Sequence, residues 1–223
     1  MAIRAVLIDF YGTLAREDDM VVGDICRMIA EKSPLVVSPG EVGHAWWERM
    51  DNAYRSCYGD RFIPLAQLEQ EILDQLVNQF EAKIPPADLA QRVALSRNFP
   101  QNYCDGRVFM ARLPLKVCVV ANGDRYETQR AADYTQIDIP HLVCSEDAQA
   151  YKPRQEIFQT ALDLLGVVAE ETMHVGDSLH YDMEPARSMG MHTVWLNRSG
   201  RTAQSTKPDF SCDSLATLRS MIR

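Results

Sequence analysis

Residues Ala5 to Leu14 read AVLIDFYGTL, an apolar run that ends abruptly at Asp9 and is followed by Gly12 and Thr13. Such a run is typical of a buried strand in a parallel sheet. Open α/β folds bind and transform ligands at the carboxyl ends of these strands. Asp9 is therefore the candidate nucleophile, and the competing interpretation is a solvated aspartate in an ordinary turn.

Four further apolar runs follow the first, and helical patterns lie between the later ones. Strands that alternate with helices predict βαβ units and an α/β fold with three layers around a doubly wound parallel sheet. The predicted strands after the first are residues 116–120, 141–144, 172–175 and 193–196, and the predicted helices in this part are residues 125–134, 155–165, 183–189 and 214–222.

Residues 15–99 interrupt this alternation, because they hold helical patterns and no convincing strand. Apolar residues keep to one face after Pro39 and again after Pro64, as expected for amphipathic helices that begin near a proline. We therefore predict an all-helical insert of four or five helices. Residues 1–14 and 100–223 would form the α/β core, and the helical insert, residues 15–99, would cover the edge that carries Asp9 as a lid.

Composition narrows the classes of partner. The 223 residues carry a formal net charge of −8 and no Lys/Arg-rich run, which argues against nucleic acid and against an anionic membrane surface. Six cysteines without metal-type spacing are typical of reduced thiols in a cytoplasmic protein. We expect a cytoplasmic enzyme with no membrane span, and the pattern specifies no oligomeric state.

Two loops behind later strands hold polar candidates. Asn122 and Gly123 follow the run VCVVA, where a glycine lets the backbone approach an anionic substrate closely. Lys152 precedes Pro153, which restricts its backbone to extended geometry. The alternatives are a common Asn-Gly turn and a solvated lysine.

A third loop, HVGDSLHYD, places Asp177 and Asp182 on a strand-to-helix turn. Such acids are often only helix caps. However, Asp9, Asp177 and Asp182 against Lys152 would leave this edge about two charges negative, and a divalent cation would relieve the repulsion. Carboxylate and carbonyl oxygens suit Mg²⁺. The sequence therefore predicts a magnesium site that attracts a small anionic substrate.

These four segments, in this order, resemble the haloacid dehalogenase superfamily of hydrolases, most of whose members are Mg²⁺-dependent phosphatases. In that pattern Asp9 looks like the nucleophile of the first motif, Asn122 stands just after the second, Lys152 looks like the lysine of the third, and Asp177 with Asp182 look like the acidic fourth motif. The helical insert looks like the family's cap of the first type, which selects substrates.

The resemblance implies a phosphatase that acts on a small phosphomonoester through an aspartyl phosphate on Asp9. Mg²⁺ would be held by Asp9, the Tyr11 backbone carbonyl and Asp177. Lys152 would stabilise the nucleophile and the transferred group, and Asp182 would orient Lys152 or a metal-bound water. Asn122 and Gly123 would contact the substrate.

Two positions depart from the phosphatase pattern. Tyr11 stands where family phosphatases usually have a second aspartate as general acid, and Ala121 stands where they have Ser or Thr. Both departures leave open a catalytically weak regulatory protein on a hydrolase fold. Tyr11 also resembles the 2-haloacid dehalogenase branch, although that branch commonly has Ser at the position of Asp177. In that alternative, a carboxylate substrate would be bound by an arginine, the candidates being Arg16, Arg49 and Arg55.

Overall fold

The computed structural model describes residues 2–17, 19–202 and 206–221. A six-stranded sheet runs through the core in the order β3-β2-β1-β4-β5-β6, and every neighbouring pair is parallel. The predicted doubly wound sheet is thus confirmed. Its strands are β1 (Ala5–Ile8), β2 (Lys116–Ala121), β3 (Leu142–Cys144), β4 (Thr172–Gly176), β5 (His192–Leu196) and β6 (Phe210–Cys212).

Strand β1 lies at the centre of the sheet, and its side chains alternate between two cores. Val6 and Ile8 belong to the apolar core on one face, whereas Ala5 and Leu7 belong to the core on the other. All four residues are fully buried. This burial on both faces explains why the strand reads as an unbroken apolar run, as expected for a parallel sheet.

The helices of the α/β core cover both faces of the sheet. They are α5 (Gly106–Met110), α6 (Arg125–Thr135), α7 (Ser145–Ala148), α8 (Gln155–Leu165), α9 (Glu184–Ser188) and α10 (Leu215–Met221). The helix predicted over residues 183–189 corresponds to α9, and a π-helical turn, Leu179–Met183, leads into it. The last residue of the helix predicted over residues 214–222 lies outside the described residues.

The helical insert contains α1 (Asp19–Lys32), α2 (Pro39–Ser56), α3 (Leu65–Gln79) and α4 (Pro86–Asn98), with a 3₁₀ turn at Gly59–Arg61. No strand interrupts it within the described part of residues 19–98. It has an apolar core of its own, built around residues such as Ile29, Trp46 and Leu76. The all-helical character predicted for this segment is confirmed, and the exact domain boundaries stay a prediction.

Loops at the carboxyl ends of the strands hold the helical insert in place. Asp124, after β2, accepts hydrogen bonds from the backbone N–H groups of Leu65 at 2.7 Å and Ala66 at 2.9 Å, at the start of α3. Tyr151, in the loop that precedes α8, donates to the carbonyl oxygen of Ile63 at 2.6 Å. The insert therefore packs against the edge of the sheet where Asp9 lies. Across the ranges described, no helix is both long and apolar enough to cross a bilayer.

Candidate active site

Lys152 joins two of the predicted carboxylates. Its Nζ lies 2.6 Å from Asp9 Oδ1 and 2.7 Å from Asp182 Oδ1, and all three side chains are buried. Asp9 follows β1, and Asp182 lies in the π-helical turn after β4. Because β1 and β4 are adjacent and parallel, with Ile8 level with Val175, their carboxyl ends deliver the two acids to one place.

Asn122 fixes the loop that carries Lys152. Its Oδ1 accepts from the Lys152 backbone N–H at 2.7 Å, and its Nδ2 donates to the Lys152 carbonyl oxygen at 3.0 Å. Gly123 is buried and its N–H donates to Ser145 Oγ at 3.3 Å. A Cβ on Gly123 would lie 2.8 Å from Thr128 Oγ1, so close packing requires the glycine. The substrate-binding role of Asn122 and Gly123 stays a prediction, and the positioning of Lys152 is a contact that the sequence did not indicate.

Asp182 is held by a histidine of strand β4 and by the backbone at the start of its own π-helical turn. His174, in β4, places Nε2 3.0 Å from Asp182 Oδ1, and the backbone N–H of Ser178 donates to Oδ2 at 3.1 Å. A Cβ on Gly176 would come within 2.6 Å of Oδ2, so only glycine leaves room for this carboxylate. His174 was not predicted as a site residue, because its only signal in the sequence is a histidine in the middle of an apolar strand.

Asp177 completes a cluster of three carboxylates. One oxygen from each of Asp9, Asp177 and Asp182 lies within 4.8 Å of the others. Gly12 has a φ of +89°, and a Cβ there would lie 2.6 Å from Asp177 Oδ1. Asp9 Oδ2 is buried and has no hydrogen-bond partner among the residues described. The all-oxygen donor set of these three carboxylates fits a hard cation such as Mg²⁺.

The charges of the cluster are unevenly compensated. Burial and the carboxylates of Asp9 and Asp182 raise the pKa of Asp177 to about 7. Burial also raises the pKa of Asp9. Although burial alone would raise the pKa of Asp182, Lys152 and His174 lower it to about 2. Burial opposes the charge of Lys152, but Asp182 and Asp9 raise its pKa, so the lysine stays protonated. Among the described residues, Lys152 is thus the one buried lysine or arginine that faces these three acids, and Arg201 approaches Asp177 from the exposed side.

Asp177 is also tied to the loop after β5. Arg201 Nη2 donates to the carbonyl oxygen of Asp177 at 2.8 Å and lies 3.4 Å from its Oδ2. Trp195 Nε1, in β5, donates to the same carbonyl oxygen at 2.8 Å. The backbone of Asp177 is therefore fixed from one side while its carboxylate faces Asp9. The sequence gave no signal for either contact.

Tyr11 joins the core to the helical insert. Its phenol donates to the carbonyl oxygen of Arg97, in the last turn of α4, at 3.2 Å. Burial raises the pKa of the phenol, so Tyr11 keeps its proton. A phenol has one proton to donate. Because the Tyr11 hydroxyl donates this proton to the Arg97 carbonyl oxygen, it is not directed at a leaving group in the cavity.

A cavity of about 310 Å³ lies between the helical insert and the cluster. It is lined by Asp9, Tyr11, Glu17, Asp19, Val22, Gly43, Trp46, Trp47, Met50, Tyr54, Leu65, Glu69, Arg97, Asn122, Lys152, Asp177, Ser178, Tyr181 and Asp182. Among the aromatic residues of α2 and of the segment that follows it, Trp46, Trp47 and Tyr54 line this cavity. Tyr58 instead stacks under the guanidinium of Arg154, with Cζ 3.4 Å from the ring centroid.

The three arginines proposed to bind a haloacid carboxylate lie elsewhere, which corrects that expectation. Arg49 donates to the carbonyl oxygen of Ala45 at 2.8 Å, within its own helix. Arg55 is held by Asp51 at 2.9 Å. Arg16 lies over the ring of Tyr103 in a separate cavity. None of these arginines is among the residues that line the cavity of Asp9.

Comparison with known proteins agrees with this architecture. Haloacid dehalogenase-like hydrolase domain-containing protein 3 of Danio rerio is 29% identical over 97% of this chain and 95% of its own length. N-acylneuraminate-9-phosphatase of Mus musculus is 34% identical, but the match covers only 44% of this chain and 40% of that protein. The L-2-haloacid dehalogenase from Xanthobacter autotrophicus superposes with a TM-score of 0.76 at 18% identity, over 99% of this chain and 98% of the other, which shows a shared fold.

A family profile gives the assignment. The profile of the haloacid dehalogenase-like hydrolases matches residues 3–190, which include strands β1 to β4, the helical insert and all four motif segments. A match over most of the chain shows membership, and the family's members are hydrolases. The chain is therefore an enzyme that belongs to the haloacid dehalogenase-like hydrolases.

Proposed function

We propose that this hydrolase is a Mg²⁺-dependent phosphatase that cleaves a small phosphomonoester through an aspartyl phosphate on Asp9. The observation that carries the proposal is the third carboxylate, Asp177, beside an Asp9–Lys152–Asp182 arrangement that already holds one lysine between two acids. The excess negative charge suits a divalent cation and then a phosphoryl group. The phosphatase activity in the name of the mouse relative supports the same reading.

The two oxygens of Asp9 have different environments, and this difference assigns the nucleophile. Oδ1 accepts from Lys152, whereas Oδ2 has no hydrogen-bond partner within the described ranges. In our proposal Asp9 Oδ2 attacks phosphorus, an O–P bond forms, the bond from phosphorus to the leaving oxygen breaks, and that oxygen takes a proton from a solvent water. A second water then attacks phosphorus and gives a proton back to solvent, the bond to Asp9 breaks, and inorganic phosphate leaves.

Lys152 keeps the nucleophile oriented throughout. An ammonium group has three N–H donors, and two of them point to Asp9 and Asp182. The remaining donor can face a phosphoryl oxygen and stabilise the charge that develops there. Asp182 fixes the ammonium, and Asn122 fixes the backbone behind it.

The residues that would hold Mg²⁺ are Asp9, Asp177 and the backbone carbonyl of Tyr11. When bound, the ion would neutralise the phosphoryl oxygens and polarise the phosphorus. The space for the Asp177 carboxylate depends on Gly12, since a Cβ there would overlap it. We also propose that the enzyme works in the cytoplasm, with residues 15–99 as its substrate-selecting domain. Its six cysteines are all free, as a reducing compartment would keep them.

Removal of the third carboxylate tests the proposed function. We expect Asp177→Asn to weaken Mg²⁺ binding by at least about tenfold, because one anionic ligand is lost. Millimolar Mg²⁺ should raise the melting temperature of the wild type and should raise that of the variant much less. The measurement is calorimetric titration with MgCl₂, together with initial rates on phosphate esters and on 2-haloacids.

The matched control is Asp163→Asn, since Asp163 is an exposed aspartate of α8 that pairs only with Gln159 at 2.8 Å in its own helix. It should bind Mg²⁺ like the wild type. Equal Mg²⁺ affinity in Asp177→Asn and wild type, or turnover of 2-haloacids without Mg²⁺, would contradict the phosphatase proposal.

Tyr11→Phe tests whether the phenol protonates the leaving group. Because the phenol proton is donated to the Arg97 carbonyl oxygen, we expect turnover of an alkyl phosphate and of p-nitrophenyl phosphate to change by the same factor, below about threefold. Loss of this hydrogen bond should lower the free energy of unfolding by about 1 kcal/mol. A selective fall of more than about tenfold for the alkyl ester would identify the phenol as the general acid.

A further inference from the structure

One wall of the active-site cavity is aromatic and is built from both parts of the chain. Trp47 and Tyr54 come from α2 of the helical insert, and Tyr181 comes from the turn after β4. The ring of Tyr181 lies 5.7 Å from the Trp47 ring at 63° and 5.7 Å from the Tyr54 ring at 79°. Rings in such edge-to-face contact form one continuous aromatic wall, against which a flat group can pack.

Trp47 is the informative member of this wall. Its neighbour Trp46 is 5% exposed and packs into the core of the helical insert, whereas Trp47 is 55% exposed although it lines the cavity. An aromatic side chain that lines a cavity and stays exposed offers a surface on which a ligand can pack. The packing of the insert does not require this indole to be buried.

The charges of the same cavity exclude a second anionic group. Its only lining cations among the described residues are Lys152 and Arg97. Lys152 is held by Asp9 and Asp182. Arg97 is buried and held by Glu69 and, at 3.1 Å from its Nε, by Glu127. Neither cation is available to another acid.

Two further acids line this cavity. Glu17 lies in the linker before α1 and Asp19 lies in the first turn of α1, and both residues are exposed. Lining acids therefore outnumber lining bases, and a negatively charged substituent on the leaving group would be repelled. The phosphate group itself would not be repelled, because the proposed Mg²⁺ and Lys152 would bind it.

We infer that the substrate is the phosphomonoester of an alcohol that bears an aromatic ring and no second anionic group. This inference rests on the proposed function and specifies its substrate class. The ring would pack against the wall formed by Trp47, Tyr54 and Tyr181, while the phosphate faces Lys152. Selectivity would come from two sources, namely packing against this wall and repulsion by Glu17 and Asp19.

A neighbouring cavity is lined by arginines and would favour the opposite kind of substrate. Arg16, Arg198 and Arg201 line a second space of about 520 Å³ that shares Glu17 and Asp19 with the first. If a substrate reached across these two acids, the arginines would bind an additional carboxylate. The enzyme would then prefer anionic leaving groups, which is the opposite result.

Three phosphate esters separate these possibilities: benzyl phosphate, 4-carboxybenzyl phosphate and n-propyl phosphate. We expect kcat/KM for the benzyl ester to exceed that of each of the others by at least about tenfold. Trp47→Leu should reduce the preference for benzyl over propyl. Glu17→Gln with Asp19→Asn should raise the rate for the carboxybenzyl ester relative to the benzyl ester by at least about fivefold.

Glu48→Gln is the matched control, because Glu48 is an exposed acid of α2 that does not line the cavity. It should leave all three ratios unchanged. A carboxybenzyl ester that is cleaved as fast as the benzyl ester, or a propyl ester that matches it, would overturn the inference while the phosphatase proposal stands.

Binding provides a readout that does not depend on turnover. Quenching of tryptophan fluorescence in the presence of Mg²⁺ should give at least about tenfold tighter binding of benzylphosphonate than of 4-carboxybenzylphosphonate. Absence of turnover on all three esters would refute the proposed function by itself. Equal affinity for the two phosphonates, or no binding of either, would overturn the inference about the substrate.

Discussion

Asp9→Asn is expected to lower kcat for any substrate ester by at least about 10⁴-fold, while the protein stays folded. An amide oxygen is a poor nucleophile, and the amide removes the charge that directs Oδ2 toward phosphorus. The shape of the side chain is kept, so its packing beside β1 should be preserved. Lys152 would still have Asp182 as a partner at 2.7 Å. Initial rates with purified variant and wild type, and a circular dichroism melt of each, measure both parts of this prediction.

Asp163→Asn again controls for the chemical change itself, since it makes the same substitution on an exposed helix face. It should retain wild-type kcat. Turnover by Asp9→Asn within about tenfold of the wild type would remove Asp9 from the nucleophile's role and would leave the proposed aspartyl phosphate without support.

The positions of the chemical groups could be predicted because they follow strands. Asp9, Asn122 and Asp177 each come directly after an apolar run, and a parallel sheet brings all such positions to one edge. Lys152 could be predicted only as a loop residue near the same edge. The helical insert was predictable for a similar reason, because helical periodicity persists over four turns or more in α2 and α3.

What could not be predicted depends on side chains that meet across the chain. The pairing of Asn122 with the backbone of Lys152, and of Arg201 with Asp177, joins residues 30 and 24 positions apart, and no periodic pattern encodes it. The short elements α5, α7 and β6 were also missed. Strand β6 has three residues, two of them exposed, and so carries too little apolar signal.

The arginines predicted to bind a substrate carboxylate do not line the cavity, and the reason is physical. Arg49 and Arg55 lie in α2, the helix that supplies Trp46 and Trp47 to the cavity, yet both side chains are engaged by groups outside it. Helical spacing places a residue on a face, but it does not determine which neighbour the long side chain of arginine will contact. Only the packed structure shows that Arg97, from α4, is the arginine at the cavity.

Lys152→Met should cost about 3–5 kcal/mol in free energy of unfolding and should abolish activity. The substitution keeps an apolar stem of similar length but leaves Asp9 and Asp182 buried without their shared cation. Without the cation, the pKa of Asp9 rises further above the value that it has in the unfolded chain, and the pKa of Asp182 rises because it loses the lowering effect of Lys152. Stability is therefore lost as the pH rises, so the cost should be larger at pH 8 than at pH 5.5. Urea unfolding in Mg²⁺-free buffer at both pH values measures it.

Two further variants test whether uncompensated buried charge causes the loss of stability in Lys152→Met. Lys116→Met removes an exposed lysine whose Nζ donates to the Leu165 carbonyl oxygen at 2.7 Å, and it should cost below about 1 kcal/mol. Adding Asp182→Asn to Lys152→Met should recover part of the lost stability, because one uncompensated carboxylate disappears. Two results would show that Lys152 does not hold the carboxylates by charge. One is a loss of unfolding free energy in Lys152→Met that is no larger than in Lys116→Met. The other is a double variant in which Asp182→Asn lowers the unfolding free energy as much as it does on its own. The role proposed for Lys152 in orienting Asp9 would then be wrong.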